Sequence, residues 1–121
     1  MAWNKYRAKK TLAFGKTFAS RKEADRFMVL RNLEAKGKIS DLKTQVKFVL
    51  IPAQREPETV GPKGGRIKGK LIEHECAYIA DFVYMRDGEM VVEDTKGMKT
   101  PEYIIKRKLM LYICGIKVRE T

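Results

Sequence analysis

The sequence is poor in the residues that build disulfide scaffolds and zinc sites. Its 121 residues include two cysteines, Cys76 and Cys114, and a single histidine, His74. Two cysteines are too few for a disulfide framework, so we expect reduced thiols in a cytoplasmic protein. One histidine excludes zinc-finger spacing and disfavours a nuclease motif that depends on histidine ligands. A metal site in this protein would therefore need ligands other than clustered cysteine and histidine residues.

Long apolar runs are also missing. No stretch approaches the roughly 18 residues that a membrane span needs. The first ten residues, MAWNKYRAKK, carry positive charge without an apolar stretch behind them, so no secretory signal is expected. A hydrophobic content of 44% with 34% charged residues is ordinary for a globular protein. We expect one domain over residues 1–121, because this length supports a single core.

Acidic residues are absent before Glu23, and the net charge of the chain is +11. Clustered positive charge suits a polyanion, most simply the phosphates of a nucleic acid. An anionic membrane would instead favour an amphipathic basic helix with a stronger apolar face. A basic surface without a function is the plainer alternative. The clusters are Lys5, Arg7, Lys9, Lys10, Lys16, Arg21 and Lys22; Lys63, Arg66, Lys68 and Lys70; and Lys99, Lys106, Arg107 and Lys108.

The first half of the chain predicts a basic arm, a helix and a strand. Residues 1–19 are expected to be irregular. Ser20 and Glu23 have the spacing of a capping box, which predicts a helix from there to about Lys36, ending at Gly37. Residues 44–51 alternate and then become apolar, which predicts a strand. The predicted apolar side of the helix consists of Ala24, Phe27, Met28, Leu30 and Leu33.

Residues 53–72 contain Pro57, Pro62 and four glycines. A segment of this length and composition is a long loop for a compact domain, and such loops are either functional or disordered. We interpret it as a flexible basic loop that becomes ordered on a nucleic acid.

Two strands and a second helix are predicted in the remaining sequence. The strands cover residues 75–86 and 89–96, Thr100 and Pro101 open the helix, and Gly115 ends it. Ile105, Leu109 and Tyr112 are predicted to form the inner face of that helix, and GIKVRE predicts a short final strand. The order helix, strand, hairpin, helix, strand indicates an α/β fold with a mixed sheet flanked by helices.

The dipeptide Asp87–Gly88 between two β-rich segments is typical of a type I′ hairpin. In that register the numbers of opposed residues sum to 175, so Asp81 faces Asp94. Like charges in opposed positions destabilise a hairpin by several tenths of a kcal/mol, and more when buried without a shared cation. The register therefore predicts a place where a cation belongs.

Side chains alternate along a strand, so Lys96 shares the face of Asp94 whereas Glu93 points to the opposite face. The same face is predicted to hold Ile79, Val83, Met90 and Val92. Two carboxylates and one ammonium group would then lie at one end of an apolar surface. A turn of another length would exchange the faces.

This combination is suited to phosphodiester chemistry. Paired carboxylates are ligands that Mg²⁺ accepts, with water and phosphate oxygens completing its octahedron. A bound ion can polarise a phosphodiester and supply hydroxide near neutral pH, and Lys96 can contact the attacking water or the developing charge. The pattern itself also arises by chance, and a charged strand end is usually just solvated.

ADF at residues 80–82 and DTK at residues 94–96 resemble the paired motif of the PD-(D/E)XK nuclease superfamily, with Ala80 in place of the proline. FASRKEADRF and NLEAKG are similar to the first helix of phage and archaeal Holliday junction resolvases in that superfamily. NKYRAKK and VEDTKG also resemble a family of small phage and prophage proteins. The resemblance covers about residues 18–113.

The resemblance implies a restriction-endonuclease-like core and a Mg²⁺-dependent endonuclease, with Mn²⁺ as an alternative metal, acting on branched or junction DNA. It implies a phage or prophage protein in the cytoplasm of a bacterial host, plausibly a homodimer, with no membrane association and no small-molecule cofactor. Glu23, Asp81, Asp94 and Lys96 would be catalytic, and Glu23, Asp81, Asp94 and Thr95 would surround the metal. The DNA contacts would come from Lys5, Arg7, Lys9, Lys10, Lys68, Lys70, Lys99 and Lys106, with Tyr103 beside the last two.

Several alternatives stay open at the level of sequence. Glu23 is either a metal ligand or the reciprocal half of the capping box, and Glu34 is its rival as third acid. Lys99 and Lys106 could belong to a solvated helix face. The protein could be a non-catalytic nucleic-acid-binding phage replication protein, or a nuclease for single-stranded DNA, flaps or RNA.

Overall fold

The computed structural model describes residues 11–13 and 15–121. Two helices and ten strands, several of them very short, follow one another along these residues. In chain order they are β1 (Thr11–Ala13), β2 (Lys16–Phe18), α1 (Arg21–Ala35), β3 (Ser40–Ile51), β4 (Gln54–Arg55), β5 (Thr59–Val60), β6 (Arg66–Ile67), β7 (Leu71–Glu73), β8 (Cys76–Arg86), β9 (Glu89–Asp94), α2 (Pro101–Cys114) and β10 (Arg119–Glu120).

A four-stranded mixed sheet forms the centre, in the order β10-β9-β8-β3. β8 runs antiparallel to both β3 and β9, and β10 pairs parallel with β9 after the crossover through α2. One face of the sheet packs on α1 and the other on α2. This confirms the predicted α/β class with a mixed sheet and flanking helices. Neither α1 nor α2, the helices of the described chain, is long and apolar enough to cross a membrane.

The β8–β9 hairpin has the predicted turn and register. Asp87 and Gly88 both adopt positive φ, 52° and 79°, as a type I′ turn requires. The ladder pairs Arg86 with Glu89 and continues to Phe82 opposite Glu93. The observed pairs end there, so Asp81 and Asp94 each lie one residue beyond the ladder.

Helix α1 begins as its sequence predicts. The Ser20 hydroxyl accepts a hydrogen bond from the Glu23 N–H at 3.2 Å, which satisfies one of the free donors of the first turn. Ala24, Phe27 and Leu30 are buried against the sheet. Leu33 packs on the same cluster, but Met28 is 45% exposed and does not belong to the apolar side.

The described part of the predicted irregular arm is a short hairpin. β1 and β2 pair antiparallel, and Gly15 at φ 76° lies in their turn. Phe18 is buried with its ring centroid 5.0 Å from that of Phe27. An aromatic side chain anchored on α1 thus orders a segment whose composition indicated irregular backbone. Residues 1–10, which include Lys5, Arg7, Lys9 and Lys10, lie outside the described residues.

Helix α2 has the predicted ends but another inner face. The Thr100 hydroxyl caps the N–H of Tyr103 at 3.1 Å, and Gly115 ends the helix at φ 67°. The buried residues are Tyr103 and Met110, with Leu109 partly buried. Ile105 and Tyr112 are exposed, contrary to prediction. The inner stripe follows the spacing from Tyr103 to Met110, which brings the Tyr103 ring beside Tyr78, with centroids 6.4 Å apart.

Strand β3 starts at Ser40, four residues before the predicted strand, and is irregular near its start. Asp41 and Gln45 have positive φ, 54° and 52°, and the register with β8 shifts between Ser40 and Lys43. Such shifts bend a strand and redirect side chains. Gln45 is redirected toward Glu23 and Asp81.

The segment predicted as a loop over 53–72 is instead an extended ribbon, the β arm (residues 52–75). β4 pairs with β7 and β5 with β6, in two-stranded sheets that follow β3 and precede β8 in the chain. No residue from 51 to 77 is buried. Glycine permits the close pairing: a Cβ on Gly69 would lie 1.8 Å from the carbonyl oxygen of Glu56. The loop prediction was wrong because turn-rich composition hid short strands whose partners are distant in sequence.

Candidate active site

Two buried aspartates meet where β8 and β9 diverge. Asp81 is 9% exposed and Asp94 is fully buried. Each lies one residue beyond the last pair of the β8–β9 ladder, Phe82 with Glu93, and the two carboxyl groups are close enough for Asp81 to raise the pKa of Asp94. Carboxylates in such positions repel each other unless protons, donors or a cation compensate for their charge.

The backbone after β9 orients Asp81. Its Oδ2 accepts hydrogen bonds from the N–H of Thr95 at 2.9 Å and from the Thr95 hydroxyl at 3.0 Å. Thr95 therefore acts on Asp81 through both of its donors. The predicted ligand role of Thr95 would use its carbonyl oxygen.

Asp94 is held by Tyr78 and Lys96. The Tyr78 hydroxyl donates to Asp94 Oδ2 at 2.5 Å, and the Lys96 ammonium lies 3.4 Å from Oδ1. Oδ1 is nonetheless a buried oxygen without a hydrogen-bond donor among the described residues. Burial, followed by the nearby Asp81, raises the pKa of Asp94 from 3.8 to about 7. A bound cation would be stabilising beside such a carboxylate, which is buried, has an unsatisfied oxygen and has a raised pKa.

The side chain of Glu23 is directed toward Gln45 and Asp81. Its backbone N–H donates to the Ser20 cap, while its side chain is only 4% exposed and faces the sheet. Gln45 Nε2 donates to Glu23 Oε1 at 2.9 Å and lies 3.5 Å from Asp81 Oδ1. Burial, with Asp81 as the second cause, raises the pKa of Glu23 from 4.5 to about 7. The third carboxylate thus lies beside Asp81.

The rival acid Glu34 is placed elsewhere. Its Oε2 accepts the N–H of Leu42 at 2.9 Å, at the opposite end of α1 from Glu23. This bond fixes the connection between α1 and β3. Glu34 therefore has a structural partner away from the aspartates.

Lys96 lies at the mouth of a small cavity. Its ammonium lies 5.2 Å from the centroid of the Tyr103 ring, while Arg107 lies 5.8 Å from the same centroid. A cation over an aromatic face is favourable and restrains the lysine side chain. The cavity, of about 260 Å³, is lined by Ala77, Tyr78, Ile79, Lys96, Thr100, Glu102, Tyr103 and Lys106.

Glu93 points to the other side of the sheet, as the alternation predicts. Arg26 Nε and one terminal nitrogen both bind its carboxylate at 2.8 Å, and the Tyr84 hydroxyl donates to it as well. Although burial opposes it, this hydrogen bonding lowers the pKa of Glu93. Glu93 is a neutralised link between α1 and the sheet.

The apolar surface beside the aspartates only partly matches its prediction. Val83 and Val92 are buried on the α2 side, but Ile79 is 53% and Met90 46% exposed. Tyr78 packs in the cluster of Val83, so strict alternation fails along β8 between these positions. The break turns Tyr78 inward and gives Asp94 its hydroxyl donor, a contact that strict alternation does not predict.

The donor set suits a hard divalent cation. Across the described residues no three histidine, cysteine, aspartate or glutamate side chains stand close enough to form a ready-made metal site. Asp81 is nevertheless close enough to Asp94 to raise its pKa, and within the described part of the chain Asp94 Oδ1 has no hydrogen-bond donor. Mg²⁺ characteristically takes one or two carboxylates and fills its other positions with water and substrate oxygens. The aspartate pair fits that requirement.

The predicted DNA-binding lysines divide into two groups. Lys99 forms an ion pair with Glu120 at 3.4 Å, and Lys106 forms one with Glu102 at 2.9 Å. Lys68 and Lys70 are exposed on the β arm. The positive charges of the first pair are partly compensated within the fold, whereas the arm presents its lysines to solvent.

Sequence reasoning missed Gln45 and Tyr78. Gln45 bridges Glu23 and Asp81, and Tyr78 binds Asp94. The backbone at Gln45, with φ 52°, differs from that of an ordinary strand, and no residue in its neighbourhood signals this. A tyrosine three positions before a candidate acid was the available signal for Tyr78.

A mixed α/β core with buried acids at the end of a hairpin thus defines the molecule. The chain belongs to the family described as "Protein of unknown function (DUF1064)", which it matches over residues 3–117. No curated protein and no solved structure matches the chain.

Proposed function

We propose that this protein is a Mg²⁺-dependent DNA endonuclease, with Mn²⁺ able to substitute. The observation that supports the proposal most strongly is the proximity of two buried carboxyl groups, Asp81 and Asp94, with Lys96 3.4 Å from Asp94. Burial of two repelling carboxylates is costly, and a function that requires a bound cation explains why such a pair is retained. The motif resemblance at residues 80–82 and 94–96 points to the same chemistry.

Each residue has a distinct role in the proposed reaction. Asp81 and Asp94 would hold the metal ion, which supplies Lewis-acid activation of a phosphodiester. Thr95 orients Asp81 through two hydrogen bonds, and Tyr78 orients Asp94. These contacts fix the carboxylates before substrate arrives, so little reorganisation is needed during the reaction.

Glu23 and Lys96 would act on the water and the phosphate. With its pKa raised to about 7, Glu23 can accept a proton from water near neutral pH. Lys96, restrained by Tyr103, can stabilise the negative charge that develops on the phosphate. Gln45 donates to Glu23 at 2.9 Å and lies 3.5 Å from Asp81, which keeps Glu23 near the aspartate pair.

Branched or junction DNA is the proposed substrate. This choice comes from the resemblance of residues 18–36 to the first helix of Holliday junction resolvases, together with the net charge of +11. A phage or prophage role in recombination or replication, and a homodimer that cuts two strands, belong to the same proposal.

The proposal is tested by incubating the protein with five labelled nucleic acids in Mg²⁺ or in EDTA. The panel contains a four-way junction, a flap, a linear duplex, single-stranded DNA and single-stranded RNA. Asp81→Ala and Lys96→Ala are run beside Glu34→Gln, a matched control because Glu34 binds only at the far end of α1. We expect Mg²⁺-dependent cleavage, strongest on the junction, that both site variants abolish and the control retains. Cleavage that survives Asp81→Ala contradicts the site assignment, and binding without cleavage of any substrate supports a non-catalytic nucleic-acid-binding protein.

A further inference from the structure

The β arm is the largest described feature that the proposed active site does not use. It consists of residues 52–75, none of which is buried. Among the strands that the structure describes, those of the arm pair only with one another, β4 with β7 and β5 with β6. Two-stranded ribbons have little stability of their own in water, so an exposed one of this length calls for a partner.

The shape of the β arm is nevertheless well determined. The Glu56 N–H donates to the Lys70 carbonyl at 2.9 Å, and Arg55 donates to the Gly69 carbonyl at 3.2 Å. At the tip, the Gly61 N–H donates to the Gly65 carbonyl at 2.8 Å. Because these bonds fix the ribbon, its side chains are presented in a defined arrangement.

The outer part of the arm, residues 59–72, combines cations with apolar groups and contains no acidic residue. The four glutamates of the arm flank it in sequence, and one of them, Glu58, lies 3.9 Å from Arg66. Lys63, Lys68 and Lys70 are exposed and form no ion pair within the part of the chain that the structure describes. Val60, opposite Arg66 in the ribbon, is 75% exposed, and Ile67 is 50% exposed. Lysines suit phosphates, whereas apolar side chains suit base edges such as the thymine methyl group.

We propose that the β arm inserts into the major groove of a B-form DNA duplex and anchors the protein beside the cut site. This inference rests on the proposed nuclease function and makes its substrate duplex DNA on at least one side of the cut. A ribbon with strands ~5 Å apart and side chains on both faces is ~10 Å across. The major groove, about 12 Å wide, admits such a ribbon, while the minor groove of about 6 Å does not.

The position of the β arm relative to the aspartates is consistent with one duplex contacting both. β3 and β8 run from the site, at Gln45 and Asp81, to the last pair before the arm, Ile51 with Cys76. Six residues of strand span about 20 Å. That length corresponds to roughly six base pairs at about 3.4 Å each. The arm and the site thus contact the same duplex at separate positions.

Duplex RNA is a poor fit for the same ribbon. The major groove of A-form RNA is deep and too narrow for protein side chains to read. The arm should therefore distinguish a DNA duplex from an RNA duplex of the same sequence.

The test is fluorescence anisotropy with the cleavage-deficient Asp81→Ala protein in EDTA, so that binding is measured without catalysis. Lys63→Ala/Lys68→Ala/Lys70→Ala is compared with Lys36→Ala/Lys38→Ala/Lys43→Ala, which removes the same charge at the opposite end of β3. We expect the arm variant to weaken duplex DNA binding at least tenfold. It should also reduce the slope of log K against log salt by about 2–3, since each phosphate contact contributes about 0.9. The control variant should change both quantities much less.

A modified duplex and a minor-groove ligand identify the groove that the arm occupies. Glucosylated 5-hydroxymethylcytosine fills the major groove and should weaken binding, whereas netropsin, which occupies the minor groove, should leave it unchanged. Any of three results would overturn the groove assignment. The two triple variants could lose affinity equally, netropsin could compete with the protein, or the arm variant could weaken binding to an RNA duplex as much as to a DNA duplex. Because every reading is a binding constant, the result is independent of whether the protein cleaves DNA.

Discussion

Glu93 and Asp94 are consecutive and both fully buried, but they differ in how their negative charge is compensated. Arg26 forms two bonds of 2.8 Å to Glu93, on the α1 side of the sheet. Asp94, on the other side, faces Asp81 and keeps one oxygen without a hydrogen bond. The alternation of a single strand thus separates a structural acid from a proposed catalytic one.

This separation predicts opposite outcomes for two isosteric changes. Glu93→Gln should lower stability, because Arg26 loses its charged partner, yet retain most of the cleavage rate of the folded protein. Asp94→Asn should lower the rate at least about 100-fold. The loss of a direct metal ligand should cost no less than the loss of an outer partner of a ligand, which costs about 10- to 100-fold. Single-turnover rates and urea unfolding of both variants measure the two effects. Equal losses of activity in the two variants would contradict the division of roles.

The buried ion pair makes its own prediction. Arg26→Met leaves the Glu93 carboxylate buried without its guanidinium, which should cost about 3–5 kcal/mol of unfolding free energy. The double variant Arg26→Met/Glu93→Met removes the unpaired charge and should recover most of that loss. Unfolding in guanidinium chloride of the wild type, Arg26→Met, Glu93→Met and the double variant completes a double-mutant cycle. A double variant as unstable as Arg26→Met would show that Glu93 is not neutralised mainly by Arg26.

The raised pKa values predict how stability depends on pH in EDTA. Asp94 and Glu23 have folded pKa values of about 7, above their ordinary values of 3.8 and 4.5, so the folded state binds more protons between these limits. Their contribution to stability is therefore greatest below pH 4, falls as pH rises toward 7, and is lost above it. Asp94→Asn should remove its share of the decline and stabilise the protein at pH 8 by about 1–3 kcal/mol, since one pKa unit corresponds to about 1.4 kcal/mol. Urea midpoints from pH 4.5 to 8 test this, and an unchanged slope in Asp94→Asn would contradict it.

Two glycines of the β arm form a matched pair. At Gly69 a methyl group would lie 1.8 Å from the Glu56 carbonyl oxygen, whereas at Gly65 nothing lies within 4 Å. Gly69→Ala should therefore distort the pairing of β4 with β7 and weaken duplex binding several-fold. Gly65→Ala should leave binding unchanged. Anisotropy and amide hydrogen exchange across residues 52–75 report both effects, and equal behaviour of the two variants would show that the arm geometry does not matter for binding.

The parts of the fold that the sequence predicts are those controlled by local chemistry. Asp87–Gly88 sets the hairpin register because its turn type is encoded in two residues. Ser20 and Thr100 begin helices for a similarly local reason. The pairing from Arg86 with Glu89 to Phe82 with Glu93 follows from the turn by counting, and it brings Asp81 and Asp94 to the same end of the hairpin.

Features that depend on distant partners were not predictable in the same way. The inner face of α2 includes Tyr103 rather than Tyr112, because packing on Tyr78 decides which of two apolar stripes is buried. The β arm pairs segments of two or three residues, too short to show a periodic pattern. Gln45 reaches the site because its backbone has a positive φ, which no local sequence motif predicts.

The most direct test of the central claim is a crystal of the protein grown with Mn²⁺ and measured at the manganese absorption edge. We expect an anomalous peak between Asp81 and Asp94, bonded to at least one oxygen of each at roughly 2.0–2.2 Å. Asp81→Ala crystals grown in the same way should lose the peak. An ordered Asp81–Asp94 pair without a peak at saturating Mn²⁺, or a manganese ion bound only elsewhere, would contradict the claim that these two aspartates form a metal site.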